Sequence, residues 1–365
     1  MTSTRPCLSA PKIQGEKLVA LASKLGFIDK SLAFHRDFET ICIPLSRQIS
    51  EVELEVLREK IPKLELKKAI FTEKKQVQMT LLQALQDHLP SNLLKRVPQA
   101  FDIIGDIVVI DLPTELEKYQ KVIGEAILSS KKNIKTVLAK AGDINGTFRV
   151  RDYTLIAGED KTQTIHKEFG CRYYVDLAKA YFSPRLSHEH DRVAALVLKE
   201  EVIVDLFAGV GPFSILIGKR HSSAEVYAVD LNPDAIELLK LNVRANRVEN
   251  RVFPILGEAR KIAQTKLRGV ADRVIMNLPE TAIDFVDAAC DSVKLAGGIF
   301  HFYGFVRSPN TIDDLKDRFI KAVERNGKIV ESFLYAKKVR ETAPYESQIV
   351  LDAKIGTDKD SNTND

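Results

Sequence analysis

A chain of 365 residues exceeds what one hydrophobic core usually organises, which excludes a lone small binding module and favours two or three domains. With 45% apolar and 28% charged residues it can bury several cores, yet it holds no apolar run long enough for a membrane helix, and its opening MTSTRPCLSAPK lacks the apolar centre of an export signal. Its 54 basic and 50 acidic residues nearly cancel, and Cys7, Cys42, Cys171 and Cys290 are widely spaced without a CxxC pair, which argues against a zinc ribbon or a disulfide framework and fits a reducing cytoplasm.

In chain order, residues 1–72 read as a small α+β unit. GEKLVALASKLGF (15–27) spaces its apolar side chains as a helix does, and FETICIPLS (38–46) looks like a strand. VELEVLREKI (52–61) predicts a second helix and LELKKAIF (64–71) a second strand. Residues 73–100, with Lys74-Lys75, Pro90 and Pro98, predict a helical linker. A second α+β unit over 101–188 begins with FDIIGDIVVIDL, two strands pivoting on Gly105-Asp106. The helix KYQKVIGEAILSS (118–130) follows, then the strand-like IKTVLAKAG (134–142), TFRVRDYTLIAG and CRYYVDLAKAYFS. Between Lys131 and Arg151, Lys131, Lys132, Lys135, Lys140, Arg149 and Arg151 stand against the single acid Asp143, a candidate phosphate-facing surface. From about Asp191 strands alternate with helices, which implies parallel βαβ units and an α/β domain over 189–353. The polar 354–365 is expected to be a disordered tail.

The third unit opens on a cofactor motif. VIVDLFAGVGPFS (202–214) runs an apolar strand into Gly209-x-Gly211 and a helix, where backbone can approach a ligand at a helix N-terminus. A second strand, in AEVYAVDLNPDAIELLKLNVRAN, ends at Asp230, where an acid can accept both hydroxyls of a ribose. NAD and S-adenosylmethionine both suit such a nucleoside site. Ser214 stands where the third glycine of a dinucleotide fingerprint would fall, and Asp205 closes the first strand, where a carboxylate suits a cationic amino acid better than a pyrophosphate. Both details favour S-adenosylmethionine. VFPILGEA (252–259) brings Glu258 and Ala259, and RVIMNLP (273–279) brings Asn277 and Pro279, to the same strand-end crevice. No metal site is expected from His188 and His190, because adjacent helix positions do not converge on one ion.

VDLFAGVGPFS, AVDLNPDAIELLKLNV, VIMNLPETA and IHKEFGCRYYVDLAKAYFSPRLSHEHDR together resemble the archaeal and eukaryotic tRNA (guanine-N1)-methyltransferases, which methylate N1 of guanosine at tRNA position 37. The resemblance runs from about Phe101 to Asp352, and residues 1–72 resemble the extra N-terminal domain of the archaeal b-type members, which contacts the tRNA elbow. It implies a cytoplasmic monomer with a class I methyltransferase (Rossmann-like) C-terminal domain and two smaller α+β domains before it, using S-adenosylmethionine on a tRNA partner. By the family pattern Glu189 is the general base, Arg149 stabilises O6 and Asn277 meets the guanine edge. Cofactor contacts would come from His190, Asp205, Phe207, Gly209, Gly211, Asp230, Leu231, Glu258, Ala259, Asn277 and Pro279, and substrate contacts from Tyr181, Arg185 and Arg151. Two positions depart from the pattern: His190 stands where many members carry arginine, and Tyr345 where a basic residue is expected. In NLPE, Leu278 and Glu280 stand in place of one proline and the aromatic of the NPPY motif of amino-group methyltransferases, which favours a ring nitrogen as acceptor.

Three other readings compete on the same scaffold. They are the wyosine-pathway aminocarboxypropyl transferase, a bifunctional enzyme that also methylates a wyosine intermediate at carbon, and a non-catalytic tRNA-binding protein. The retained Glu189 and Asn277 speak against the last.

Overall fold

The computed structural model describes residues 2–73, 80–145 and 150–357. The chain divides into two compact units, Met1–Thr80 and Leu81–Asp365. In the first, β1 (Thr2–Pro11), α1 (Gly15–Lys24), β2 (His35–Arg36), β3 (Thr40–Pro44), α2 (Glu51–Lys60) and β4 (Glu65–Thr72) build an antiparallel sheet in the order β2-β3-β1-β4. Ser50 and Glu53 start α2 with reciprocal side-chain to backbone hydrogen bonds, which satisfies two amide donors that the first turn would otherwise leave open. Leu18 and Ala22 of α1 and Leu54 and Leu57 of α2 join Leu8, Ala10 and Ile43 in one core. The opening segment, which shows no strand pattern in sequence, forms the strand between β3 and β4. Leu8 and Ala10 lie in the helix-side core while Cys7 is buried with Leu32, Cys42 and Phe71, so burial on both faces erases the polar alternation.

The second unit begins with α3 (Leu81–Leu85) and α4 (Ser91–Leu94), followed by β5 (Asp102–Ile104), β6 (Ile107–Ile110), α5 (Gln120–Ser130), β7 (Thr136–Asn145) and β8 (Val150–Gly158). These strands form a sheet in sequence order, pivoting at Gly105 with φ +58°. Lys74-Lys75 of the expected linker lies outside the described residues, while Leu85, Leu89 and Val97 share a core with Ile123, Ile127 and Val137. Next, β9 (Gln163–Glu168) and β10 (Cys171–Asp176) pair as a hairpin through Phe169-Gly170, both at positive φ.

Then come α6 (Ser187–Leu196), β11 (Val202–Asp205), α7 (Pro212–Arg220), β12 (Glu225–Asp230), α8 (Pro233–Asn246), β13 (Val252–Leu256), α9 (Ala259–Thr265) and β14 (Arg273–Met276). They are followed by α10 (Val286–Ser292), β15 (Gly298–Arg307), α11 (Ile312–Glu324), β16 (Lys328–Ala343) and β17 (Glu346–Thr357). The seven strands order as β13-β12-β11-β14-β15-β17-β16, parallel through β15 and antiparallel at β17 and β16. Alternate residues feed two cores: Ile203, Ile275, Tyr303 and Val350 pack with Val193, Phe213 and Leu239, whereas Val204, Val274, Phe302 and Leu351 pack with Ile262, Ala289 and Phe319. One boundary needs correction: β17 continues through 354–357 and buries Ile355, so the expected disordered tail does not begin at 354. The hairpin is fastened to this domain by two buried asparagines of α8. Asn246 Oδ1 accepts from the Arg172 amide at 2.9 Å and Asn242 Oδ1 from the Tyr174 amide at 2.6 Å.

Candidate active site

The strand ends of the parallel sheet converge on one rim. At the end of β11, Asp205 is fully buried; its Oδ2 accepts from the Ser214 hydroxyl at 2.7 Å, and its Oδ1 has no hydrogen-bond partner. Burial pushes this carboxyl up to about 7, with the Ser214 bond pulling the other way. At the end of β12, Asp230 accepts from the Gly209 amide at 2.7 Å and the Asn232 amide at 2.9 Å, and burial raises its carboxyl despite those bonds. Gly209 and Gly211 adopt φ of +55° and +89°, and a Cβ on Gly211 would sit 2.3 Å from Leu239, so packing as well as backbone demands glycine there. Phe207 stacks edge-on against Phe285 at 5.1 Å, and Leu231 is exposed beside Asp230.

Glu258 caps α9 by accepting from the Lys261 amide at 2.9 Å, with Ala259 buried behind it. Beyond β14, Asn277 carries a buried Oδ1 without a partner, and Pro279 borders a cleft of about 240 Å³ that also meets Glu280, Phe305, Arg307 and Arg318. Two orphaned buried acceptor oxygens, a paired-glycine turn and acids at two strand ends suit a nucleoside with a cationic amino acid tail, whose hydroxyls and ammonium donate.

Glu189 lies in the first turn of α6 and is 7% exposed. Arg192 Nε donates to both its oxygens at 3.1 Å, Arg192 Nη2 donates to Oε2 at 2.8 Å, and the Tyr303 hydroxyl donates to Oε2 at 2.8 Å. Asn277 follows the Met276–Phe302 register pair directly, which sets it level with Tyr303. The next residue, His190, turns inward: its Nδ1 lies 2.6 Å from Glu168 Oε1 and its ring stands edge-on to Phe213 at 4.6 Å. Burial opposes it, but His166 and His190 together hold Glu168 down to about 2. The Tyr181 carbonyl is 3.8 Å from where a Cβ on Gly209 would be, which places the YFSPRL segment against the glycine turn, and the Tyr181 side chain is 43% exposed.

Arg185 Nε donates to Asp102 of β5, and Arg151 Nη1 to the Gly142 carbonyl at 3.0 Å. Arg149 lies outside the described residues. Tyr345 projects from the β16–β17 turn at φ +63°. Among the described residues there is no cluster of ligands for a metal ion, and no helix is long and apolar enough to cross a membrane. Sequence reasoning missed Ser214 as a partner of Asp205, and Arg192 and Tyr303 as partners of Glu189. Arg192 was within reach, since residues three apart share a helix face; Tyr303 meets Glu189 only through the tertiary fold.

Residues 164–331 match the TRM5/TYW2 methyltransferase domain and residues 81–162 the TYW2 N-terminal domain. The tRNA (guanine(37)-N(1))-methyltransferase Trm5b of Pyrococcus abyssi is 42% identical over 268 residues, 73% of this chain and 78% of its own. The tRNA 4-demethylwyosine(37)-methyltransferase Taw21 of Saccharolobus solfataricus is 35% identical, over 75% of this chain and 98% of its own. Among solved structures, aTrm5 in complex with tRNALeu superposes with a TM-score of 0.73 at 32% identity, covering 95% of this chain and 99% of that one. TYW2 of Pyrococcus horikoshii in complex with MeSAdo superposes with a TM-score of 0.64 at 29% identity, covering 76% of this chain and 98% of that one. On the strength of these matches, which extend over both the sheet unit and the strand-end crevice, the chain belongs to the TRM5/TYW2 methyltransferase family.

Proposed function

We propose that this chain methylates N1 of guanosine 37 in tRNA, with S-adenosylmethionine as cofactor and Glu189 as general base. The observation that carries the reading is the buried Glu189 carboxylate, whose Oε1 meets only one shared donor while Oε2 holds three contacts. Bound S-adenosylmethionine supplies a methyl group on a sulfonium sulfur. Guanine N1 carries a proton at neutral pH, so a base must remove it as the N1 electron pair turns to the methyl carbon. Glu189 Oε1 takes that proton and becomes the neutral acid, while Asn277 hydrogen-bonds the guanine edge. Arg149 stabilises the charge developing on O6. Tyr181 lies against the target base, and Arg151 and Arg185 serve the anticodon loop.

On the cofactor side, Asp205 faces the ammonium and Asp230 the ribose hydroxyls. Phe207, Gly209, Gly211, Leu231, Glu258, Ala259 and Pro279 complete the walls. His190 is not carried forward as a cofactor contact, because its Nδ1 is committed to Glu168 and its ring stands against Phe213. The b-type assignment is supported by coverage. The tRNALeu complex spans 95% of this chain but TYW2 of Pyrococcus horikoshii only 76% of it at nearly its full length, a shortfall about the size of the N-terminal unit. We assign that unit to the tRNA elbow.

The test is incubation with unmodified tRNA carrying G37 and labelled S-adenosylmethionine, followed by nucleoside mass spectrometry. N1-methylguanosine, lost when G37 is changed, is expected. An aminocarboxypropyl product, or a product only on a wyosine precursor as the likeness to Taw21 would favour, overturns the reading.

A further inference from the structure

A chain of buried charged groups starts at Glu189 and returns to its own helix. Arg192, which forks onto Glu189, turns its Nη1 to Asp352 Oδ2 and its Nη2 to Asp352 Oδ1 at 3.2 Å. Asp352 Oδ1 also lies 2.7 Å from His301 Nδ1, and His301 Nε2 lies 2.7 Å from Arg273 Nη1. Arginine only donates, so Nε2 is the acceptor, Nδ1 carries the proton, and His301 is the neutral tautomer. Burial lowers the imidazole in agreement. Arg273 then donates to Glu201 from Nε and Nη2 at 3.1 Å and, from Nη2, to the carbonyl of Leu196, the last residue of α6, at 3.0 Å.

We propose that Arg192, Tyr303, Asp352 and His301 are positioning residues that fix the orientation of Glu189 and set its basicity. The proposal rests on the reading of Glu189 as the base. A guanidinium alone against a carboxylate would hold it ionised and make it a poor proton acceptor. Asp352 holds the far side of the same guanidinium, so Arg192 is fixed between two carboxylates and orients Glu189. Burial and the Glu189 carboxylate hold the Tyr303 phenol well above its ordinary range, so it stays a donor and steadies Oε2 while Oε1 faces the substrate. The charged or titratable groups in contact with one another here are Arg192 on α6, Glu201 just before β11, Arg273 on β14, His301 and Tyr303 on β15, Tyr335 on β16, whose ring lies 4.4 Å from the Arg192 guanidinium and 5.4 Å from the Lys337 ammonium, and Asp352 on β17. His188 on α6 is exposed, and His190 faces Glu168 of β9.

Single-turnover methyl transfer to G37 tRNA at saturating S-adenosylmethionine, followed across the acid limb of its pH profile, separates this from a merely structural role. Asp352→Asn leaves Arg192 wholly to Glu189, so the limb moves down by about one pH unit and the plateau falls about tenfold. Tyr303→Phe removes a donor from the carboxylate, so the limb moves up by about half a unit. Opposite shifts with unchanged cofactor affinity are the expected result. If both limbs stay at the wild-type position, or move the same way, while Glu189→Gln is inactive, the relay is wrong and the base assignment survives. A Glu189→Gln variant as fast as wild type instead overturns the base itself. Should Asp352→Asn fail to fold, Tyr303→Phe, which loses one hydroxyl, decides by the presence or absence of its upward shift.

Discussion

At the parallel end of the sheet, Asp205 and Asp230 are met by neutral donors, a serine hydroxyl and backbone amides, and burial raises both carboxyls. At the antiparallel end, Glu189 and Asp352 share Arg192, and although burial opposes it, the His301 and Arg192 bonds leave the Asp352 carboxyl below its ordinary range. The same residue type therefore does two jobs on one sheet face. A carboxylate buried without a cation is unfinished and is completed by a positively charged ligand, whereas one supplied with its own arginine is fixed in place before any ligand arrives. On the proposed function, the sulfonium and ammonium of the cofactor are assigned to the first end and the proton-accepting step to the second.

The contrast breaks most visibly at Glu189. Glu189→Gln is expected to lower the single-turnover rate by about 100-fold or more, the worth of a general base, with S-adenosylmethionine affinity within about twofold of wild type. Calorimetric titration beside the rate measurement decides it, for if cofactor binding collapses as well, the two ends are not separate. Asp205→Asn should do the reverse, weakening cofactor binding by about tenfold while leaving the saturated rate nearly intact. The wild-type affinity should climb between pH 6 and 8, by up to about tenfold, as Asp205 ionises with a value of about 7, and the Asn variant should be flat. Stability runs in the opposite sense without ligand. Because folding raises this acid from 3.8 to about 7, its contribution is intact below the lower value and is lost as pH rises through the upper one. Thermal melting should therefore show a larger gain from S-adenosylmethionine at pH 8 than at pH 6.

The parallel end was legible because its chemistry is local in sequence. Asp205, Gly209 and Gly211 lie in one strand-turn-helix, and strand-end logic alone gathers Asp230, Glu258 and Asn277. The antiparallel end was not. Glu189 entered through family resemblance; Tyr303 reaches it from 114 residues away and Asp352 reaches its partner Arg192 from 160 residues away, across register pairs such as His301–Asp352 and Tyr303–Val350 that no periodicity announces. Among the elements, β1 escaped because apolar neighbours cover both its faces, and β9 because Thr164, His166 and Glu168 turn polar side chains inward to make bonds that only the fold supplies. Gly211 was legible as a turn, but its close approach to Leu239 was not.

The smallest expected effect sharpens the comparison most, because it changes one neutral donor and no charge. Ser214 is fully buried and spends its hydroxyl on Asp205. In Ser214→Ala the ionised carboxylate loses that bond, so its pKa moves further up and a smaller fraction is charged near neutrality. Cofactor affinity should fall by about threefold at pH 7 and approach the wild-type value at higher pH, at a stability cost of about 1 kcal/mol. Titrations at two pH values measure both. A deficit that is the same at each pH would mean that Ser214 shapes the pocket without tuning Asp205, and the account of this end as a carboxylate awaiting a cation would then have to rest on Asp230.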